Sequence, residues 1–263
     1  MATNRYQSLT GLYEDWSQVI ITAHRGASIC YPENCALAMR KAVACGSDMI
    51  EFDLRLTKDG VPVLLHDATL DRTSNLQGPP ANYSLAELKQ ANFSYRNVPE
   101  QPLSEPTYAE MPIASFEDIL QEFRGRVGMN IQVYTGAAGI AEVCRLYLKY
   151  DMVDHGYLTL ASLDEIKTVR EINPAIEICY TPPWKERGTP EQLRFCKELG
   201  CRFVQPVAAH SGPECYAFCK ELGLRANAFY SDTDVGNRRL LAQGAPGWLT
   251  NRPDIALYTV GRD

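Results

Sequence analysis

Short apolar runs recur along the chain at 19–23, 49–54, 128–134, 156–160, 176–181, 202–207, 224–230 and 247–250. Each has the length of a strand, and the stretches between them place apolar residues at helical spacing. One join from helix to strand repeats. Lys41-Ala42-Val43-Ala44-Cys45-Gly46 leads to Met49-Ile50-Glu51-Phe52, and Phe195-Cys196-Lys197-Glu198-Leu199-Gly200 leads to Arg202-Phe203-Val204. Phe218-Cys219-Lys220-Glu221-Leu222-Gly223 before Arg225-Ala226-Asn227 nearly copies the second, and Leu240-Leu241-Ala242-Gln243-Gly244 before Gly247-Trp248-Leu249 is a fourth. Gly just past a helix suits the left-handed position there, and strands alternating with helices form parallel sheets. The pattern predicts an α/β fold, a (β/α)8 TIM barrel in a single domain over 1–263, for which ~250 residues is typical.

Two stretches depart from the alternation. Thr57-Lys58-Asp59-Gly60 is a tight-turn signal, and 62–65 after it reads as a short hairpin arm. Residues 68–112 are rich in Pro, Asn and Ser with one modest helix at 84–90, and they read as a small insertion after strand two.

Composition narrows the partners. A formal charge of −6 with scattered Lys and Arg excludes the basic patch of a nucleic-acid binder. No transmembrane span and no secretory leader is expected, since Met1-Ala2-Thr3-Asn4-Arg5-Tyr6-Gln7 lacks an apolar stretch. Nine cysteines without metal-type spacing, among them Cys35, Cys45, Cys215 and Cys219, read as buried reduced thiols of a cytoplasmic protein. Homo-oligomerisation is left open.

The chemistry concentrates in few residues. Of four histidines, two lie in His24-Arg25-Gly26 and Leu65-His66-Asp67, with Glu51-Phe52-Asp53 between them. On a strand, Glu51 and Asp53 share a face, and paired carboxylates repel unless a cation or proton intervenes, which points to a hard-metal site. In a barrel, His24-Arg25 ends strand one, Glu51 and Asp53 end strand two and His66 ends the hairpin arm, so all five meet at the mouth where such barrels carry their sites. Two imidazoles, a guanidinium and a metal equip a site for phosphoryl or acyl transfer. His155 and His210 have no such context and read as structural. Asn34, ahead of a helical run, suits helix capping at least as well as substrate contact. Trp184 and Lys185, after strand five, are candidates for reading a leaving group.

The order His24-Arg25-Gly26, Pro32-Glu33-Asn34, Ile50-Glu51-Phe52-Asp53, Thr57-Lys58-Asp59-Gly60, His66-Asp67, Leu70-Asp71-Arg72-Thr73 resembles the glycerophosphodiester phosphodiesterase family. It covers roughly the first third of the chain, and Thr250-Asn251-Arg252-Pro253 resembles the family's closing Thr-Asp-x-Pro. The resemblance implies a (β/α)8 barrel that cleaves small-molecule phosphodiesters with a divalent metal, Mg²⁺ or Ca²⁺. It implies acid/base roles for His24 and His66, phosphate binding by Arg25, and metal ligation by Glu51 and Asp53. The strand-three phrase, in the family close to Asn-Ile-Glu-Ile-Lys, reads Asn130-Ile131-Gln132-Val133-Tyr134 here. That leaves Gln132 as the third metal ligand and Tyr134 as a substrate contact. Phe229, where the family shows Trp-Thr-Val-Asn, is a second substrate contact, and the closing acid is Asn251.

The implied reaction gives a glycerol phosphate and an alcohol, through or stopping at a cyclic phosphate. The departures at Gln132, Tyr134 and Asn251 keep a second reading open: a barrel that binds a phosphodiester or polyol phosphate without cleaving it.

Overall fold

The computed structural model describes residues 6–95 and 106–262. Residues 96–105, part of the predicted insertion, lie outside that set. In chain order the elements are α1 (Leu9–Glu14), β1 (Ile20–His24), α2 (Ala36–Cys45), β2 (Met49–Leu56), β3 (Pro62–Leu64), α3 (Leu85–Leu88), α4 (Phe116–Phe123) and β4 (Gly128–Val133). There follow α5 (Gly136–Lys149), β5 (Gly156–Leu160), α6 (Leu163–Ile172), β6 (Ile178–Tyr180), α7 (Pro190–Glu198) and β7 (Phe203–Val204). The chain ends with α8 (Pro213–Glu221), β8 (Arg225–Ala226), α9 (Asp234–Ala242), β9 (Gly247–Thr250) and α10 (Pro253–Thr259).

Alternation along the strands sets the layers. Ile21, Ala23, Ile50, Phe52, Leu54, Met129, Ile131, Leu158 and Ile178 join one large apolar cluster with the helices. Their neighbours Ile20, Met49, Tyr157, Cys179 and Phe203 form a separate cluster with Leu9 of α1. Higher on that second face the residues turn polar: Asn227 Nδ2 donates to Thr22 Oγ1 at 2.7 Å, and Thr159 Oγ1 donates to Asn130 Oδ1 at 2.6 Å. Strands buried on both faces are what a parallel sheet covered by helices requires.

The sheet is parallel and curled, in the order β6-β5-β4-β2-β1-β9, and β7 pairs with β8 in a second ladder. A parallel bridge from Ala228 to Trp248 links the second ladder to β9. The predicted strands at 202–207 and 224–230 shrink to two residues each, with one further bridge between Val207 and Phe229. Pro206 lies in that gap and has no N–H to give a ladder. The repeated glycine joins behave as expected at Gly200 and Gly223, whose φ values are 76° and 68°.

The hairpin arm also forms. β3 runs antiparallel to β2 with Leu54 opposite Leu64 and Leu56 opposite Pro62. The β1 pairing stops at Glu51 while the β4 pairing runs on to Leu54, so β3 takes the edge that β1 vacates. That return carries the chain on to His66, whose carbonyl accepts two bonds from Arg55 of β2. Residues 68–95 and 106–112 carry α3 and a small apolar cluster in which Leu70, Leu88 and Phe93 pack with Val63 and Leu65. α4 shows the helical pattern most cleanly, burying Phe116, Ile119, Leu120 and Phe123 behind a Ser115–Asp118 capping box. Removing the Phe116 ring, which lies against Phe52, would cost about 3–5 kcal/mol.

All nine cysteines are free. The expectation of burial holds for six of them but not for Cys30 and Cys45, which are exposed, nor for Cys215, which is half-buried. Cys45 ends α2 on its outer side. No helix among the described residues is long and apolar enough to cross a membrane.

Candidate active site

The turn after β1 explains why His24-Arg25-Gly26 is a phrase. Arg25 and Gly26 are both left-handed, with φ of 56° and 81°, and a Cβ at residue 26 would lie 2.7 Å from the Ala38 backbone. Only glycine fits there. The left-handed Arg25 costs about 1–2 kcal/mol, and its N–H is held by Glu51 Oε2 at 2.9 Å. Sheet register places the carboxylates: Glu51 lies opposite His24 and Asn130, and Asp53 lies opposite Gln132.

His24, Arg25, Glu51, Asp53, His66, Gln132, Tyr134 and Phe229 all line one cavity of about 370 Å³. The fold therefore brings every predicted site residue together. Trp184 joins them, while Lys185 is not among the lining residues. His155 bonds Tyr6 at 3.1 Å and His210 lies on an outer groove. Asn34 neither caps a helix nor lines the cavity. Cys35 caps α2, and Asn34 clasps Asp53, with Nδ2 donating to Oδ2 at 2.8 Å and Oδ1 accepting the Asp53 N–H at 3.1 Å.

The histidines are backed differently. Asn251 Nδ2 donates to Asp232 Oδ2 at 2.7 Å. Its Oδ1 is therefore the end that faces His24 Nδ1 at 2.8 Å, and His24 donates from Nδ1. Its Nε2 stands 3.9 Å from Glu51. Burial pushes the His24 imidazole down to about 4, the Arg25 charge acting the same way against the pull of Asp53 and the Asn251 bond. His66 Nδ1 instead meets the Asp67 carboxylate at 2.7 Å. Arg72 fixes that carboxylate with Nε–H to Oδ2 at 2.6 Å and Nη2–H to Oδ1 at 2.9 Å. The His66 ring stands edge-on to Tyr134, and the His24 ring edge-on to Phe229.

Glu51 is short of positive charge: burial, with Asp53 next, raises its carboxyl well above the usual range. Arg25 offsets part of this, its Nε 3.3 Å from Asp53 and its Nη1 donating to Glu33 at 2.9 Å. Burial works against its charge, yet Asp53, Glu33 and Glu51 raise its pKa. Burial and the charges of Asp53 and Glu51 also push the Tyr134 phenol up to about 12. Gln132 Nε2 donates to the Thr159 carbonyl at 3.1 Å, which leaves its Oε1 for the cavity.

Among the described residues, no three His, Cys, Asp or Glu side chains converge as a metal site. What converges is two carboxylates and one amide oxygen. Those donors are all hard oxygens, and the buried carboxylate pair lacks a full complement of positive charge, so they fit a cation such as Mg²⁺ or Ca²⁺.

Sequence reasoning missed Arg187 and Gln205, which also line the cavity, and Asp232, which grips Asn251. They come from loops of the second half, where no local phrase marks them.

Residues 24–255 match the Glycerophosphoryl diester phosphodiesterase family. The Bacillus subtilis (strain 168) protein YhdW is 30% identical over 241 residues, 90% of this chain and 96% of that one. Two other relatives from that organism, YqiK and a glycerophosphodiester phosphodiesterase, match over only 64% and 36% of their own lengths. Among solved structures, a phosphodiesterase of Oleispira antarctica shares the fold with a TM-score of 0.79 at 19% identity, covering 93% of this chain and 98% of that one. With the motif residues meeting in one cavity and the match spanning nearly the whole chain, this protein belongs to the glycerophosphoryl diester phosphodiesterase family.

Proposed function

We propose that the protein is a metal-assisted phosphodiesterase, a phosphoric diester hydrolase that cleaves glycerophosphodiesters to a glycerol phosphate and an alcohol. The observation that carries this reading is the pair of histidines on one cavity, each tied at Nδ1, with a neutral amide behind one and a carboxylate behind the other. His24, buried and neutral, is the base that takes a proton from the attacking hydroxyl, that of water or of the glycerol itself, and in the second case water then opens the cyclic phosphate. His66, held at Nδ1 by the Asp67 carboxylate, gives a proton to the leaving alkoxide. Each contributes typically ~10²–10⁴-fold. Arg25 neutralises the phosphoryl oxygens as charge builds on them, and Tyr134 and Phe229 flank the substrate. Glu51, Asp53 and Gln132 Oε1 would hold Mg²⁺ or Ca²⁺, which when bound draws charge from the phosphoryl oxygens. The structural relative from Oleispira antarctica is described in complex with the product sn-glycerol-3-phosphate, in keeping with the product proposed here.

The same proposal takes the curled sheet as an eight-stranded barrel of one domain, with 68–112 inserted. In support, Glu177 beside β6 accepts from the Arg202 backbone N–H at 2.9 Å and from its Nε–H at 2.7 Å beside β7, spanning the seam. The proposed setting is the cytoplasm, which nine free thiols suit.

A ³¹P NMR time course with mixed glycerophosphodiesters tests the reading, run with Mg²⁺ or Ca²⁺, with chelator, and with His24→Ala. A glycerol phosphate signal that needs metal and is lost in the variant supports a hydrolase. A persistent cyclic phosphate signal assigns a lyase instead, and no new signal favours binding without cleavage.

A further inference from the structure

The loop after β6 carries a cation that the proposed chemistry does not use. Arg187 lines the cavity together with Trp184. Its Nε donates to the Pro182 carbonyl at 2.8 Å, and its guanidinium lies 5.5 Å from the Trp184 ring centre. The backbone turns tightly beneath it, with the Arg187 N–H on the Trp184 carbonyl. A side chain held by both a carbonyl and a ring face is aimed rather than loose.

Its charge is uncommitted. Arg25 is matched by Glu33 and Asp53, and Arg72 by Glu33 and Asp67. Arg55 spends both of its bonds on the His66 carbonyl. Among the described residues no carboxylate lies within ion-pair distance of Arg187, and burial lowers its pKa. A half-buried guanidinium with free Nη groups at a cavity wall is a place for an anion.

The rings at the mouth argue against a cationic occupant. Arg187 covers Trp184, Arg55 lies 4.9 Å from the Tyr134 ring centre, and Tyr230 stacks on His24. A quaternary ammonium needs open aromatic faces, and here guanidinium groups already hold two of them.

We propose that Arg187 is a specificity-determining residue that selects phosphodiesters whose leaving alcohol carries a second anionic group, a carboxylate or a phosphate, over those whose leaving alcohol is a quaternary ammonium. The proposal rests on the phosphodiesterase reading and names its substrate class. The leaving alcohol lies on this side because His66, its proton donor, stands against Tyr134, which shares the cavity wall with Arg187.

The test measures kcat and KM for sn-glycerol phosphodiesters of 3-hydroxypropanoate, 1,3-propanediol and choline, with a phosphate-bearing analogue as a fourth arm. Wild type, Arg187→Gln and Arg187→Lys are compared. The anionic substrates should exceed the neutral one by about 10- to 100-fold in kcat/KM, the worth of a charge-assisted hydrogen bond, with choline last. The carboxylate and phosphate arms show which anion fits better. Arg187→Gln should collapse the anionic-to-neutral ratio toward one through KM, and Arg187→Lys should restore part of it. A wild-type preference for choline overturns the proposal, as does an equal loss on all substrates, which would make Arg187 a clamp on the phosphoryl group. An unchanged ranking in the variant also overturns it. If wild type cleaves none of the four, the phosphodiesterase reading fails. The same ratio taken from their Kd values for wild type and Arg187→Gln then decides the part of Arg187.

Discussion

Asp232 grips Asn251 at two points: Oδ1 accepts the backbone N–H and Oδ2 accepts the side-chain Nδ2–H, both at 2.7 Å. A carboxylate only accepts, so the amide cannot flip without losing a bond. This fixes Asn251 Oδ1 toward His24 and so places the imidazole proton on Nδ1. Asp232 thus orders a ring it does not touch.

Asp232→Ala should release that order. We expect turnover to fall about 10- to 100-fold, the usual scale for a partner that orients a functional ligand. The ¹⁵N shifts of labelled His24 should change from one tautomer to a mixture. Unchanged shifts alongside lost activity would assign Asp232 a merely structural part.

Glu33 sits between Arg25 and Arg72, accepting from the first at 2.9 Å and from the second at 2.7 and 2.8 Å. Burial alone would raise its carboxyl, but the Arg72 bonds and both charges bring it down to about 2. A carboxyl lower in the folded than in the unfolded chain, where it titrates near ~4.3, adds stability that is full above that pH and lost as pH falls toward 2. Glu33→Gln should therefore lower Tm by several degrees at pH 6. The gap between variant and wild type should narrow on acidification below about pH 4. Thermal melts from pH 6 to 2.5 check this, and a gap independent of pH would refute it.

The site was legible where its chemistry is local. His24-Arg25-Gly26 reads as a turn because the left-handed pair demands a glycine, and Glu51 and Asp53 read as neighbours because strands have a period of two. Asn34 could not be placed from its surroundings. It looks like a cap, yet its partner is Asp53, which only the fold brings near. Arg187 and Asp232 were invisible for a related reason: each sits in a loop with no phrase around it, and only the fold sets Arg187 on the cavity and Asp232 against Asn251. In the fold, the shortened strands β7 and β8 follow from Pro206, a single residue whose effect on a ladder outweighs the apolar run around it.

The pairing of His66 with Asp67 makes a prediction about roles. His66→Ala should reduce kcat by about 10²–10⁴-fold with little change in Tm, since the side chain is a third exposed. Asp67→Asn keeps a group beside Nδ1 but removes the carboxylate that holds it. Its loss should be smaller for substrates with acidic leaving alcohols, which need less proton transfer as they depart. Steady-state rates over a leaving-group series decide this, and a uniform loss across the series would deny His66 the acid role.

Gln132 is where the proposed cation site and the fold pull apart. Its Nε2–H bond to the Thr159 carbonyl is buried, so Gln132→Glu would set a carboxylate against that carbonyl in place of a donor. An unmet buried polar group costs about 1–3 kcal/mol, and without metal the variant should melt several degrees below wild type. A third carboxylate beside Glu51 and Asp53 should at the same time tighten Mg²⁺ or Ca²⁺, by about tenfold or more, because affinity for hard cations rises with ligand charge. Saturating metal should then recover the lost Tm, since a ligand that binds only the folded chain stabilises it by mass action. Titration calorimetry and melts with and without metal separate the two effects. Destabilisation with no gain in metal affinity would mean that Gln132 serves the strand and not the cation.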